Sequence, residues 1–460
     1  MKTIGRYVIR GMLGRGGMGK IFKVELPAVG KIAALKLFDP DPMLVRLMGG
    51  SELRALFMRE ATLLAGLNHP HIVALHDFDT AGERPFYVMD FFVNNLGVLI
   101  GETYRTEQSS RPISVDKALD YTRQTLNGLA CLHAAGVVHR DIKPFNLLLS
   151  AWDTIKICDF GLSRLRGEIF HGPANLNVGS PYYAAPEQED HPDRAEASAD
   201  LYSVGVMLYR MLTGRLPFPA ADPRFKPVSR LNPDLNSRWD DLIKQALAVW
   251  PQERFANARS MMTALEALAG HWESEKQKIC LLPDEPSPNH PPSSGRSILR
   301  AKPLKAPPRQ ARNLFGLDPL WRPRSYTANR FQSGPGVVTD DATGLIWQRS
   351  GRAFACRWNE AHSYIAGLNS ERFAGQDCWR LPTIAELSSL LRPAPRAQAL
   401  CIAPIFDPEL RWLWSSDRRS FTSAYYADLE LGFVGWQDSS ATYHVRAVCS
   451  AAPLRSRPLA

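Results

Sequence analysis

The sequence lacks the features of an exported, zinc-binding or membrane-spanning protein. Its seven cysteines, an odd number, include no CxxC pair, so neither a zinc site nor a disulfide framework is predicted. No apolar run approaches the roughly 18 residues that a membrane-spanning helix needs. The residues after Met1 also contain no apolar segment of the kind found in a signal peptide. We therefore expect a cytoplasmic protein with reduced thiols and no membrane span.

Positive charge is in surplus, but it is concentrated in one stretch. The net charge is +9 over 460 residues, and the stretch from His271 to Ser325 holds ten Lys/Arg against five Asp/Glu. Prolines crowd the same stretch, which predicts a basic, semi-extended linker over residues 271–325 between domains. Charge in a linker mainly affects solubility, so no specific nucleic-acid binding is expected. The length predicts two or three domains.

Three polar side chains lie close together in the stretch from Val138 to Asn146, which apolar segments flank on both sides. The carboxylate of Asp141 can accept a proton from a hydroxyl group, and Lys143 can neutralise a phosphoryl group during transfer. The amide oxygen of Asn146 can bind a metal ion. Phosphoryl transfer depends mainly on positioning and charge neutralisation, so these residue types fit that chemistry.

A glycine-rich turn near the N-terminus contains Gly14, Gly16 and Gly19. A Walker A loop would need Ser or Thr where Ile21 stands. A dinucleotide-binding turn would lead into a helix, but alternating apolar and charged residues at 22–26 predict a strand. Two interpretations stay open, namely a hairpin folded over nucleotide phosphates and a plain hairpin turn.

A lysine and a glutamate are candidates for the same nucleotide site. Lys36 ends an apolar strand-like run, and a strand lysine can bind nucleotide phosphates when a carboxylate holds it. Leucines at helical spacing predict a helix over Ser51–Leu67, which carries Glu60. An exposed helix carboxylate is the alternative role for Glu60. The stretch Asp39–Gly50 before this helix is expected to form a loop.

Further along the chain, Asp159 begins an Asp-Phe-Gly sequence eighteen residues after Asp141 and directly after a strand-like run. A carboxylate there can bind magnesium that bridges nucleotide phosphates. Ser114–His133 shows the apolar stripe of a long helix that leads towards Asp141.

In this order, the motifs resemble those of bacterial eukaryotic-type serine/threonine protein kinases over residues 7–270. The resemblance implies a two-lobed α+β protein-kinase fold, with an N lobe over 7–90 and a C lobe over 91–270. It implies ATP and Mg²⁺ as cofactors and protein substrates. It also implies an internal ion pair between Glu187 and Arg254, and it favours Glu60 over Glu52 as the partner of Lys36.

The resemblance assigns roles residue by residue. Catalytic roles fall on Lys36, Glu60, Asp141 and Lys143, and metal binding falls on Asn146 and Asp159. Met89 takes the gatekeeper position before the hinge. The residues implied to contact ATP are Leu13, Gly14, Gly16, Gly19, Ile21, Ala34, Lys36, Met89, Asp90, Phe92 and Leu148.

One departure from the family pattern concerns the activation segment. Residues 171–178 contain no hydroxyl side chain, and Ser180 stands where the family usually has Thr. Arg140 would normally pair with a phosphate in this segment. We therefore expect that activity does not need activation-loop phosphorylation.

The composition changes after Tyr326, and seven of the eleven tryptophans lie beyond residue 320. The pattern predicts a helix over Arg357–Leu368, a capping box at Thr383 that opens a second helix, and a hairpin over Tyr425–Trp436. These elements indicate a compact mixed α+β domain over 326–450. Its four cysteines are expected to be reduced thiols in the core: Cys356, Cys378, Cys401 and Cys449.

Four segments of this region, at 338–347, 379–383, 414–416 and 445–448, resemble the Lcl C-terminal domain family. That family is similar to C-type-lectin-like and sulfatase-modifying-factor folds. No nucleophile–base pair or metal-binding constellation is visible in the region. A sensor or recruitment role is therefore expected, with a ligand or a protein as its partner.

Two functions from different classes follow. The first is an ATP-dependent serine/threonine kinase with a tethered sensor or recruitment domain. The alternative is a nucleotide-binding pseudokinase scaffold that presents a ligand-binding C-terminal domain. The complete set formed by Asp141, Asn146 and Asp159 favours the enzyme, because a scaffold does not need all three.

Overall fold

A computed structural model describes residues 2–103, 107–150, 152–160, 164–165, 182–190, 196–280, 297–393 and 400–450. The chain forms two compact units, Met1–Ser274 and Glu275–Ala460, and each is described by itself. Within the described residues, no helix is both long enough and apolar enough to cross a membrane.

The first part of unit 1 is a six-stranded antiparallel sheet with strand order β1-β2-β3-β4-β6-β5. Val24, Leu35 and Phe86 lie fully buried in a core on this sheet. A helix over Gly50–Gly66 confirms the one predicted over Ser51–Leu67. The elements of this part are β1 (Thr3–Ile4), β2 (Tyr7–Arg15), β3 (Gly19–Leu26), β4 (Lys31–Phe38), α1 (Pro42–Met48), α2 (Gly50–Gly66), β5 (Leu75–Ala81) and β6 (Arg84–Met89).

The expectation of a loop over Asp39–Gly50 is wrong, because α1 lies within it. Asp41 caps this helix, and its side chain accepts a hydrogen bond from the backbone N–H of Met43 at 2.9 Å. Pro42 occupies the first helical position, where its missing N–H is not needed. The Asp-Pro pair is thus a helix start signal, and it accounts for a helix where a loop was expected.

The rest of unit 1 is mainly helical. Ser114 caps α4 through its hydroxyl group, and the predicted helix over Ser114–His133 is confirmed. The guanidinium of Arg254 makes two hydrogen bonds of 2.7 Å to the carboxylate of Glu187, as expected. The elements are β7 (Asn94–Asn95), α3 (Leu96–Ile100), α4 (Val115–Ala134), β8 (Val137–Val138), β9 (Leu147–Leu149), β10 (Ile155–Ile157), β11 (Arg164–Leu165), α5 (Pro186–Asp190), α6 (Ala197–Thr213), α7 (Val228–Leu231), α8 (Ser237–Ala246) and α9 (Ala258–Cys280).

Unit 2 combines short antiparallel sheets with three helices among its described residues. One sheet has the order β12-β13-β14-β20, and another has the order β16-β17-β18. The helix at 357–368 and the hairpin at 425–436 are confirmed. The elements are α10 (Pro308–Leu314), β12 (Phe331–Ser333), β13 (Val337–Asp340), β14 (Leu345–Gln348), β15 (Cys356–Arg357), α11 (Trp358–Ser370), α12 (Ile384–Leu390), β16 (Trp412–Arg418), β17 (Ser423–Asp428), β18 (Phe433–Asp438), β19 (Thr442–Tyr443) and β20 (Val448–Ser450).

The structure differs from the predicted linker over 271–325 at both ends. Helix α9 continues to Cys280, and residues 297–325 belong to unit 2. Ala306, Ala311 and Leu317 are fully buried in the core of unit 2. The sequence did not predict this packing, because prolines and basic residues dominate the stretch and only the few apolar residues between them pack inward.

The prediction of core thiols fails at one of the four cysteines. All four are free, but Cys378 is exposed while the other three are buried. Burial raises the pKa of both the Cys401 and the Cys449 thiols to about 12. These two thiols therefore stay protonated at neutral pH.

The capping box at Thr383 is confirmed, and it generates a stability prediction. The Thr383 hydroxyl accepts a hydrogen bond from the backbone of Glu386 and donates one to the carbonyl of Arg300 at 2.7 Å. Replacing Thr383 by Ala should lower the free energy of unfolding of unit 2 by about 1–2 kcal/mol. Urea unfolding followed by tryptophan fluorescence would measure this, because most tryptophans lie in unit 2.

The matched control is Thr442→Ala, since Thr442 is exposed. This substitution should change the free energy of unfolding by less than about 0.5 kcal/mol. Equal effects of the two substitutions would contradict a structural role for the cap.

Candidate active site

A buried ion pair joins the sheet of unit 1 to helix α2. Strand β4 carries Lys36, and its ammonium nitrogen lies 2.8 and 2.9 Å from the two carboxylate oxygens of Glu60. The Tyr87 hydroxyl donates a further hydrogen bond of 2.9 Å to the same carboxylate. Only 9% of the Lys36 side chain and 1% of the Glu60 side chain are exposed. Glu60 thus holds the ammonium group in one position.

The same lysine reaches the part of the chain that follows β10. The ammonium nitrogen of Lys36 lies 3.4 Å from a carboxylate oxygen of Asp159, whose side chain is half exposed. The nearby Lys36 ammonium lowers the pKa of Asp159 and keeps it ionised. Burial opposes the charged form of Lys36, but the carboxylate of Glu60 holds the pKa of Lys36 well above its ordinary value. Both groups are therefore charged at neutral pH.

The loop after β8 brings three predicted residues together. One oxygen of the Asp141 carboxylate accepts a hydrogen bond of 2.7 Å from Lys143 and one of 2.9 Å from the amide nitrogen of Asn146. That amide nitrogen also donates to the backbone carbonyl of Asp141 at 2.8 Å. The carboxylate, the ammonium group and the amide thus form one hydrogen-bonded cluster.

Asp200, in the first turn of α6, supports this loop. Its fully buried carboxylate accepts hydrogen bonds from the backbone N–H groups of His139 at 2.9 Å and Arg140 at 2.7 Å. It also contacts the His133 ring at 2.8 Å. A carboxylate in a largely apolar helix was the available signal, since an unpaired buried carboxylate would be too unfavourable.

The glycine-rich turn connects β2 and β3. A Cβ atom on Gly19 would lie 2.1 Å from the backbone oxygen of Leu37, so only glycine fits there. A Cβ atom on Gly14 or Gly16 would meet no atom within 4 Å. The turn therefore leaves open space beside its backbone.

The residues predicted to line an adenine site lie on the adjoining strands. Ala34 of β4 is paired with Met89 of β6, and both are buried. Asp90 and Phe92 follow β6 directly. The remaining three occupy β2, β3 and β9: Leu13, Ile21 and Leu148.

The available oxygen donors fit magnesium. The amide nitrogen of Asn146 is used on Asp141, and among the described residues its amide oxygen has no hydrogen bond. The carboxylate of Asp159 is ionised and half exposed. Within the described ranges no group of three or more His, Cys, Asp or Glu side chains could hold a metal by itself. One carboxylate and one amide match magnesium, which takes few protein ligands and completes its shell with phosphates and water.

Sequence comparison agrees with this arrangement. The protein kinase domain family matches residues 7–269, which is more than half of the chain. The chain belongs to the protein kinase family. The Lcl C-terminal domain family matches residues 336–449.

The curated relatives are bacterial kinases. Serine/threonine-protein kinase pkn3 of Myxococcus xanthus is 29% identical over 58% of this chain and 51% of its own length. Serine/threonine-protein kinase PknL of Mycobacterium tuberculosis is 31% identical over 57% of this chain and 66% of its own length. A probable serine/threonine-protein kinase of Streptomyces coelicolor is 32% identical over 57% of this chain and 40% of its own length. The chain thus spans between two fifths and two thirds of the length of these relatives.

The activation segment falls mostly outside the described residues. Of residues 163–183, the structure describes 164–165 and 182–183. The expectation that activity needs no phosphate in this segment therefore stays a prediction.

The buried carboxylate of Asp200 should stabilise unit 1 in a way that depends on pH. Burial opposes ionisation, but hydrogen bonds from His133 and from the backbone of His139 hold the pKa of Asp200 below its ordinary value. Replacing Asp200 by Asn should lower the free energy of unfolding of unit 1 by about 2–4 kcal/mol at pH 7. Because the folded-state pKa is depressed, wild type has this advantage above about pH 4 and loses it as the pH falls further.

Urea unfolding at pH 7 and at successively lower pH would measure the difference between wild type and variant. Asp79→Asn is the control, since Asp79 is exposed on β5. The difference for Asp200→Asn should shrink below about pH 4. A difference that stays constant with pH would contradict an ionised Asp200.

Proposed function

We propose that the protein is an ATP-dependent serine/threonine protein kinase that transfers the γ-phosphate of ATP to hydroxyl groups of protein substrates. The position of Lys36 supports this most directly, since it contacts both Glu60 at 2.8 Å and Asp159 at 3.4 Å. A lysine held in this way can bind the α- and β-phosphates of a nucleotide. The kinase relatives and the lysine-proline pair after Asp141 support the serine/threonine class.

The cluster around Asp141 performs the transfer in this proposal. Asp141 orients the substrate hydroxyl and accepts its proton, as a general base does. Lys143, bonded to the same carboxylate at 2.7 Å, places a positive charge beside the γ-phosphate. Asn146 and Asp159 would hold magnesium, which when bound neutralises charge on the phosphates.

The glycine-rich turn would cover the nucleotide. The open space beside Gly14 and Gly16 leaves room for phosphate groups close to the backbone. Ala34, Met89 and Leu148 would pack against the adenine, and the backbone of the hinge at 90–92 would bind its polar edge. The compartment would be the bacterial cytoplasm, where ATP and reduced thiols are both present.

Unit 2 would act as a sensor or recruitment domain in this proposal. Unit 2 has its own hydrophobic core, and its residues 336–449 match the Lcl C-terminal domain family. The alternative, a pseudokinase scaffold, is less well supported, because the side chains that would bind magnesium and activate the hydroxyl are all present and lie within hydrogen-bonding distance of one another.

Replacing Asp141 by Asn tests the proposal. The amide cannot accept the hydroxyl proton, so turnover should fall about 10²–10⁴-fold while ATP binding persists. Transfer of radiolabelled phosphate from ATP to a general protein substrate measures turnover, and titration with a fluorescent ATP analogue measures binding. Asp79→Asn is the control and should keep full activity, since Asp79 is exposed on β5. Wild-type protein that binds ATP without transferring phosphate would support the scaffold instead.

Replacing Asp159 by Asn tests the metal assignment separately. The loss of one negative charge should weaken magnesium binding, so the magnesium concentration for half-maximal activity should rise about tenfold or more. The same assay at varied magnesium and fixed ATP measures this concentration. A variant that loses activity with no change in the magnesium requirement would contradict a metal-binding role for Asp159.

A further inference from the structure

Unit 2 carries a row of exposed cations on a segment whose backbone is fixed. Between Ser297 and Leu317 the sequence has five Lys/Arg and no Asp/Glu. Arg300 is paired with the buried Asp417 at 2.7 Å. The other four are exposed, namely Lys302, Lys305, Arg309 and Arg312.

Several contacts hold this segment in place. The backbone N–H of Ala306 donates a hydrogen bond of 2.9 Å to the carbonyl of Arg418, and the backbone N–H of Arg418 donates one of 2.9 Å to the carbonyl of Leu304. The Tyr425 hydroxyl donates to the carbonyl of Ala306 at 2.6 Å. Because Ala306 is fully buried, the cations beside it point outward from a rigid support.

The end of β16 and the turn after it add two more cations, the partly buried Arg418 and the exposed Arg419, and an aromatic ring. Arg418 lies 4.8 Å from the centre of the Trp358 ring, and Arg419 lies 5.1 Å from that of Trp436. The ammonium of Lys305 lies 3.7 Å from the centre of the Phe421 ring, which is 80% exposed. We call the six cations the basic stripe: Lys302, Lys305, Arg309, Arg312, Arg418 and Arg419.

Among the described residues, no member of the basic stripe forms an ion pair with a carboxylate. Asp417 is buried and occupied by Arg300 and the backbone of Leu304. Asp318 accepts hydrogen bonds from the backbone of Leu320 and Arg322. An uncompensated surface of this kind is complementary to an anionic partner.

We propose that the basic stripe binds phosphorylated segments of proteins, in which phosphoserine or phosphothreonine is flanked by acidic residues. This rests on the proposed function, because the kinase unit would supply such phosphate esters. Guanidinium and ammonium groups bind a phosphate dianion through charge-assisted hydrogen bonds.

Fixed geometry favours a phosphopeptide over two other anionic partners. Arg418 is held by the Trp358 ring and by the carbonyls of Ser420 and Phe421. A membrane surface attracts cations through diffuse charge and needs no such fixing. Single-stranded nucleic acid needs several open aromatic faces. Here the ring of Trp358 is buried, Arg419 lies over the ring of Trp436, and Phe421 is the one exposed ring of the three, with Lys305 over it.

Binding to the full chain tests the proposal without any need for catalysis. The chain should carry Asp141→Asn so that self-phosphorylation during expression cannot occupy the surface. The probes are a fluorescein-labelled acidic peptide with two phosphoserines, the same peptide without phosphate, labelled single-stranded DNA, and vesicles of phosphatidylcholine with phosphatidylserine. Fluorescence polarisation measures the first three, and co-sedimentation measures the vesicles.

We expect the phosphorylated peptide to bind about tenfold or more tightly than the unphosphorylated one. Lys305→Glu with Arg309→Glu should weaken phosphopeptide binding about tenfold or more, because two charge contacts become repulsive. The control pair is Arg330→Glu with Arg372→Glu, which changes the charge of unit 2 equally at exposed positions. It should change the affinity less than about twofold. If the charge-reversed pair does not fold, as judged by circular dichroism, Lys305→Gln with Arg309→Gln replaces it.

Four results would overturn the proposal: no binding of the phosphopeptide, equal binding of both peptides, equal losses in the stripe and control pairs, or tighter binding of DNA or vesicles. The kinase assay on the stripe pair in the wild-type background is a separate measurement. A protein with an intact basic stripe that transfers phosphate normally but does not bind the phosphopeptide would refute this inference alone. Absence of phosphate transfer by the wild-type protein, with phosphopeptide binding intact, would refute the proposed function alone.

Discussion

The buried ion pair between Lys36 and Glu60 is the contact on which the arrangement of unit 1 depends. It links a strand to a helix, and through Asp159 it also reaches the segment after β10. An ion pair with so little exposure is unfavourable unless every partner is satisfied, and here Tyr87 supplies the additional hydrogen bond. A displaced α2 would leave the lysine charge buried without its carboxylate. The position of this helix and the charge state of the candidate active site are therefore physically coupled.

The hydrogen-bonded cluster around Asp141 depends on a second buried carboxylate for its shape. Asp200 holds the backbone of His139 and Arg140, and the same loop then presents Asp141 to Lys143 and Asn146. The two acidic residues thus have different roles. Asp200 is fully buried and fixes the backbone, and Asp141 carries the chemistry in the proposed function.

Local sequence signals predicted elements whose determinants are local. The apolar stripe of α4, the cap at Thr383 and the hairpin at 425–436 all appeared where the pattern placed them. Helix α1 was missed because the stretch was interpreted as a loop and its Asp-Pro start signal was not considered. Asp200 was not recognised as a support for the catalytic loop, because its partners lie about 60 residues away in the chain. The packing of residues 297–325 was missed for a similar reason, since Ala306 and Leu317 become core residues only against strands that come much later.

Two residues of the loops around the nucleotide site, Arg140 and Asp159, have positive φ angles of 68° and 65°. Side chains other than glycine disfavour this backbone conformation, and each such residue stores about 1–3 kcal/mol of strain. Glycine would relieve the strain but would remove the guanidinium or the carboxylate. A fold more resistant to heat and a charged side chain are therefore conflicting requirements at these two positions.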